Sequence, residues 1–256
     1  LRLAVSTSSI RSGNISAHEK RYGITQQGLR YRWHEHDERF DTAKHANEVN
    51  RFGWIVEIDP FDPTSMPIKR TALGRCKHEG ATTRLAPDGR VAVYMGDDER
   101  FEYIYKFVSR DRFDAKNPKA NRDLLDHGTL YVAKFNADGS GDWLELSYGK
   151  NGLTTDNGFA DQADLLVRTR MAADAVGATK MDRPEWVAVH PQTGEVFVTC
   201  TNNTKRTAEN INAANDRVDN GFGHIIAWLE ASNDAASQAF TWKIFVACGD
   251  PSLEKA

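Results

Sequence analysis

Two stretches decide the fold. One is Glu79-Gly80-Ala81-Thr82-Thr83-Arg84-Leu85-Ala86-Pro87-Asp88-Gly89-Arg90-Val91-Ala92-Val93, running on to Gly96-Asp97-Asp98. The other is Glu185-Trp186-Val187-Ala188-Val189-His190-Pro191-Gln192-Thr193-Gly194-Glu195-Val196-Phe197-Val198, running on to Thr201-Asn202-Asn203. With one gap they share a Glu, a Pro, a Gly, a Val-x-Val and a closing polar pair. Each reads as a carboxylate, a strand, a tight turn, a returning strand and a terminal carboxylate or amide group. In a hairpin, the start of the first strand and the end of the second lie together. Glu79 is therefore expected near Asp97 and Asp98, and Glu185 near Asn202 and Asn203. Repeated hairpins with oxygen donors at one end are what a β-propeller with a metal-lined axis requires. The copies stand about a hundred residues apart, more than one blade of about 40–50 residues. They are expected on non-neighbouring blades facing one axis.

The rest of the chain has the same texture. Trp54–Asp59 alternates apolar and polar before Pro60, Pro63 and Pro67 break it, and Tyr103–Val108, Thr129–Phe135, Trp143–Leu146, Gly223–Trp228 and Phe240–Val246 carry β-branched and aromatic runs. Only Asp161–Val176 reads as helix, with Leu165, Leu166, Val167 and Met171 on one face. The expected class is all-β, an incomplete set of propeller blades with a short helical insertion, residues 1–256 forming part of a single domain.

Composition narrows the function classes. Thirty-three Lys and Arg against 36 Asp and Glu leave a net charge of −3, so no overall basic field marks a nucleic-acid binder. No apolar run approaches the roughly 18 residues of a spanning helix, so no membrane segment is expected. The opening Leu1–Ile10 shows no signal-peptide pattern. Cys76, Cys200 and Cys248 are odd in number and widely spaced, which indicates neither a disulfide framework nor a zinc ribbon.

Oxygen donors carry the chemistry. Glu57, Glu79, Asp97, Asp98, Glu102 and Glu185 sit within or beside apolar strands, where an unpaired carboxylate is costly. Hard cations such as Ca²⁺ take about six to eight oxygen ligands, and ferric iron also accepts carboxylate oxygen. Each carboxylate taken alone is read equally well as a solvated strand end or an Arg partner. Arg183, before Pro184-Glu185, has the planar fork that suits phosphate, with an ion pair to Asp182 as the plainer alternative. Other motifs are weaker. His34-Glu35-His36 has the wrong spacing for a zinc helix. Asn136-x-Asp138-x-Ser140-Gly141 imitates a calcium loop, but position twelve is Ser147, so a hairpin turn is the better reading. Gly221-Phe222-Gly223 lacks the third glycine of a dinucleotide fingerprint.

Longer strings carry a family likeness. Asn50–Pro60, Lys69–Arg75, His78–Ala81, Tyr94–Tyr103, Asp182–Glu185 and Gly223–Ile226 together resemble the PhoX-type alkaline phosphatases, from about residue 20 to 250. The resemblance implies a six-bladed β-propeller exported to the periplasm or beyond, hydrolysing phosphomonoesters with iron (Fe³⁺) and calcium ions. It implies Glu79 and Glu185 as metal ligands, with Glu57 and Asp98 as further candidates. Arg183 becomes the catalytic, phosphate-holding residue, and Asn202 a second substrate-binding candidate. Against the family pattern, the upstream Cys-Glu-Glu segment and the downstream blades are missing. The chain is therefore expected to be an internal piece, poorly active alone, and none of its cysteines inherits the iron-ligand role. Its expected partners are small phosphate esters, and it is expected to be a monomer. Two rivals stay open: a calcium-binding propeller scaffold without catalysis, and a calcium-dependent propeller hydrolase of lactone type.

Overall fold

The hairpin turns are built as their residues dictate. In the computed structural model, which describes residues 9–28 and 31–250, strand β3 (Thr82–Leu85) returns as β4 (Arg90–Gly96) through Asp88-Gly89. The Asp88 carboxylate accepts from the Arg90 amide at 3.0 Å, and Gly89 takes the left-handed backbone at φ 89°. Pairing then continues through β5 (Ile104–Arg112), β6 (Gly128–Phe135) and β7 (Ser140–Glu145), each antiparallel to the one before. The second stretch opens another antiparallel meander: β8 (Pro184–Val189), β9 (Val196–Cys200), β10 (His224–Glu230) and β11 (Ala239–Ala247). The two meanders are joined by their last strands, where Gly141 of β7 lies opposite Phe240 of β11. A Cβ at Gly141 would stand 2.2 Å from the Phe240 ring, so only glycine fits this join. The all-β, propeller-type class read from the sequence holds, and β8–β11 has the four-stranded form of a blade.

One expectation fails. The two hairpins are not on distant blades. Strands β3 and β4 pack directly against β8, and the Thr82 hydroxyl donates to the Val187 carbonyl at 2.5 Å. The intervening residues are consumed by the rest of the first meander and by the helical insertion, so sequence distance overstated blade separation.

Strand β4 explains the layering. Ala92 and Tyr94 face a core shared by the two meanders, with Trp143, Val198, Trp228 and Phe240. Val91, Val93 and Met95 face the other way, onto a second core with Tyr105, Phe107 and Leu130. A strand buried on both faces reads as a continuous apolar run, as this one does. The helical insertion covers the second core. It is two short helices, α1 (Gln162–Val167) and α2 (Thr169–Ala175), separated at Arg168, where the single expected helix breaks. Leu165 is fully buried there, with Leu166 and Met171 packed beside it.

Charge inside the first core is satisfied. Glu230 accepts from the Tyr94 hydroxyl at 2.8 Å, from both Trp143 and Trp228 indoles, and from Lys106 Nζ at 3.2 Å. Burial pushes the Lys106 amine down to about 8 against the pull of Glu230. The Trp54–Asp59 run forms only a short strand, β1 (Ile55–Glu57), paired with β2 (Ile68–Arg70) in a separate ribbon. Among the described residues, no helix is long and apolar enough to cross a membrane.

Candidate active site

The first hairpin continues past β3 and β4. The Lys77 amide donates to the Asp97 carboxylate at 3.0 Å, the Asp98 amide to the Lys77 carbonyl at 3.0 Å, and the Glu79 amide to the Gly96 carbonyl at 3.2 Å. Glu79 and Asp98 thus share one end of the hairpin, as their sequence order requires. The second hairpin is closed the same way, by the Thr201 amide donating to the Arg183 carbonyl at 3.2 Å.

The seam between these ends is tight. A Cβ at Gly96 would meet the Pro184 carbonyl at 2.5 Å and the Glu185 carbonyl at 2.6 Å. Glycine here lets the two backbones touch, which brings the side chains together. Arg183 Nη2 lies 2.8 Å from Asp98 Oδ1 and 2.9 Å from Glu185 Oε1. The Thr201 hydroxyl donates to the same Glu185 oxygen at 2.9 Å. Burial, together with the negative charges of Asp98 and Glu79, raises the Glu185 carboxyl above its ordinary range, while Thr201 and Arg183 oppose the rise. Arg183 adopts the left-handed backbone at φ 55°, a conformation that costs free energy for any residue with a Cβ and occurs preferentially at functional sites.

Two buried ion pairs stand behind this group. Asp97, next to Asp98, is gripped by Arg170 at 2.7 Å through Nε. Asp182, next to Arg183, is held by Arg206 Nε at 2.6 Å and by Asn220 at 3.0 Å. Both aspartates are fully buried. Asp182 is thus committed to Arg206, and the plain alternative of an Arg183–Asp182 pair does not occur. Asp97 and Glu102, candidates by sequence, are likewise taken by arginines: Asp97 by Arg170, Glu102 by Arg21 and Arg170.

The other sequence candidates fall as follows. Asn202 is half-buried and follows Thr201 directly, between the Glu185-bound threonine and the buried Asn203. Glu57 is engaged elsewhere, on the short ribbon, by Arg70 Nε at 2.7 Å, and Arg70 in turn holds Asp126. Asn136–Ser140 is a hairpin turn, as its residues indicate. Cys76 is buried against His78, and burial raises its thiol well above the ordinary range. Sequence reasoning missed Thr201, Arg170 and Arg206. The available signal was the pair of aspartates immediately preceding Asp98 and Arg183, each too buried to stand without a cation.

The group therefore holds three carboxylates and one guanidinium. That donor set suits a hard cation, because excess negative charge in a partly buried place is relieved by one. Among the described residues, no set of three or more His, Cys, Asp and Glu side chains is arranged as a ready metal cage. Arg183 occupies the space between Asp98 and Glu185 instead.

A family model described as "Alkaline phosphatase PhoX" matches residues 5–256. The chain belongs to the PhoX family. No curated protein matches it significantly. A solved structure, "Pseudomonas fluorescens PhoX in complex with vanadate, a transition state analogue", is 50% identical with a TM-score of 0.95. The match covers 99% of this chain and 46% of that one, so the chain spans less than half the length of that PhoX.

Proposed function

We propose that this chain supplies part of the active site of a metal-dependent alkaline phosphatase that hydrolyses phosphomonoesters. The observation that carries the reading is the Arg183 guanidinium, anchored through Nη2 by Asp98 and Glu185 from two different hairpins. Its Nε and Nη1 make no protein hydrogen bond among the described residues, and the side chain is 22% exposed. An anchored fork with one edge open is suited to bidentate phosphate binding. In phosphoryl transfer, catalysis is mostly positioning and charge stabilisation. Arg183 would orient the phosphoryl group and stabilise the charge that develops on it.

Glu79, Asp98 and Glu185 are the residues that would hold cations, and calcium with ferric iron is the combination that family membership favours. When bound, such ions supply neutralising charge for the phosphate oxygens. Glu185 does two things with its own atoms: it fixes the Arg183 fork and accepts from Thr201. Asn202, the chain neighbour of Thr201, would add an amide donor to the phosphate. Export to the periplasm or beyond belongs to this reading, supported by the family likeness.

The test uses the full-length protein loaded with calcium and iron, assayed on p-nitrophenyl phosphate. Turnover, with iron and calcium both retained by the purified protein, supports the phosphatase. Calcium alone without turnover supports the binding scaffold.

A further inference from the structure

The segment that carries Glu185 also displays a tryptophan. Pro184 pairs with Cys200 and Val187 with Val198, so Glu185 and Trp186 together oppose the single Thr199. Such a bulge re-aims side chains, and bulges are frequent beside active sites. The Trp186 backbone is held by the Thr199 hydroxyl, which accepts from its amide at 3.1 Å and donates to its carbonyl at 3.4 Å. The ring itself joins no core and is 64% exposed.

Its position is specific. Trp186 Cε3 would lie 3.9 Å from a Cβ at Gly80, the residue after Glu79. Trp186 is thus tied to two members of the charged group, in the chain as the residue after Glu185 and in space through its ring against Gly80, the residue after Glu79. The interior of that group is ionic, with Arg183, Asp98 and Glu185 in contact. A phosphate ester entering there must leave its organic part outside the ionic interior, and the exposed indole of Trp186, against Gly80, is a flat apolar face within the same segment.

We propose that Trp186 is a specificity-determining residue of this site, stacking against the planar aromatic leaving group of an aryl phosphomonoester whose phosphate Arg183 holds. The inference rests on the phosphatase reading above. Stacking on an exposed aromatic favours any planar ring and is worth about tenfold in affinity. It gives nothing comparable to a compact aliphatic ester. Trp186 makes no ion pair, so its removal leaves the charged group intact.

The test compares two non-hydrolysable probes with the same charged head, phenylphosphonate and methylphosphonate, by calorimetry on the metal-loaded full-length protein. It is paired with turnover of phenyl phosphate and glycerol 2-phosphate. The natural protein is expected to bind phenylphosphonate about tenfold more tightly than methylphosphonate. Trp186→Ala is expected to abolish that difference and to lower kcat/KM for phenyl phosphate alone, while Trp186→Phe retains most of both. Equal loss on both probes, or no loss on either, overturns the role of Trp186 and leaves the phosphatase reading standing. Failure of the natural protein to bind either phosphonate overturns the phosphate role of Arg183, and the inference falls with it.

Discussion

Arg183 and Asp98 are 85 residues apart in sequence, and Arg183 Nη2 stands 2.8 Å from Asp98 Oδ1. The contact exists because Gly96 lets one hairpin lie against the backbone of the other. If the open edge of that arginine holds phosphate, charge alone is insufficient. Arg183→Lys keeps the charge and loses the fork. It is expected to weaken inhibition by inorganic phosphate about 10- to 100-fold, the loss of one to two strong hydrogen bonds. Metal content, measured by elemental analysis, is expected to stay unchanged.

The seam itself can be opened by one methyl group. Gly96→Ala sets a Cβ 2.5 Å from the Pro184 carbonyl. The three nearest atoms, the Pro184 carbonyl carbon and oxygen and the Glu185 carbonyl oxygen, are all backbone, so β8 must move away. The expected cost is about 1–3 kcal/mol in chemical unfolding, with weaker phosphate binding because Arg183 and Asp98 separate together.

The pair behind Arg183 makes a stability prediction. Arg206 and Asp182 are wholly inaccessible to solvent. Arg206→Leu leaves a buried carboxylate without its cation and is expected to cost about 3–5 kcal/mol. Removing both charges, in Asp182→Asn with Arg206→Leu, is expected to restore part of that loss. A double-mutant cycle by urea unfolding measures the difference.

A histidine outside the site sets a pH dependence. Burial, reinforced by the neighbouring Arg75 and Arg168 charges, lowers His18 from 6.5 to about 4. Between those values the unfolded chain binds a proton that the folded chain refuses. Stability contributed by neutral His18 is present above pH 6.5 and is lost as pH falls through about 4. His18→Gln is expected to flatten the decline of the denaturation midpoint across that window.

How much of this was legible follows from the range of the interactions involved. Asp88-Gly89 and the continuous apolar run Val91–Met95 are local, so both hairpins and the all-β class could be read directly. The shared end of Glu79 and Asp98 followed from hairpin geometry alone. The adjacency of the two hairpins did not, because it is set by Gly96 against Pro184 and by closure of the sheet through β7 and β11. The assignment of carboxylates to arginines was also hidden. Asp97 meets Arg170, Asp182 meets Arg206 and Glu57 meets Arg70 across 73, 24 and 13 residues, and no local pattern marks those partners.

The central claim is that Glu185, with Glu79 and Asp98, holds metal where Arg183 receives phosphate. Its most direct test is Glu185→Gln in the full-length protein, with bound iron and calcium quantified alongside p-nitrophenyl phosphate turnover. Joint loss of metal and turnover is the predicted result. Full metal content with undiminished turnover would contradict it.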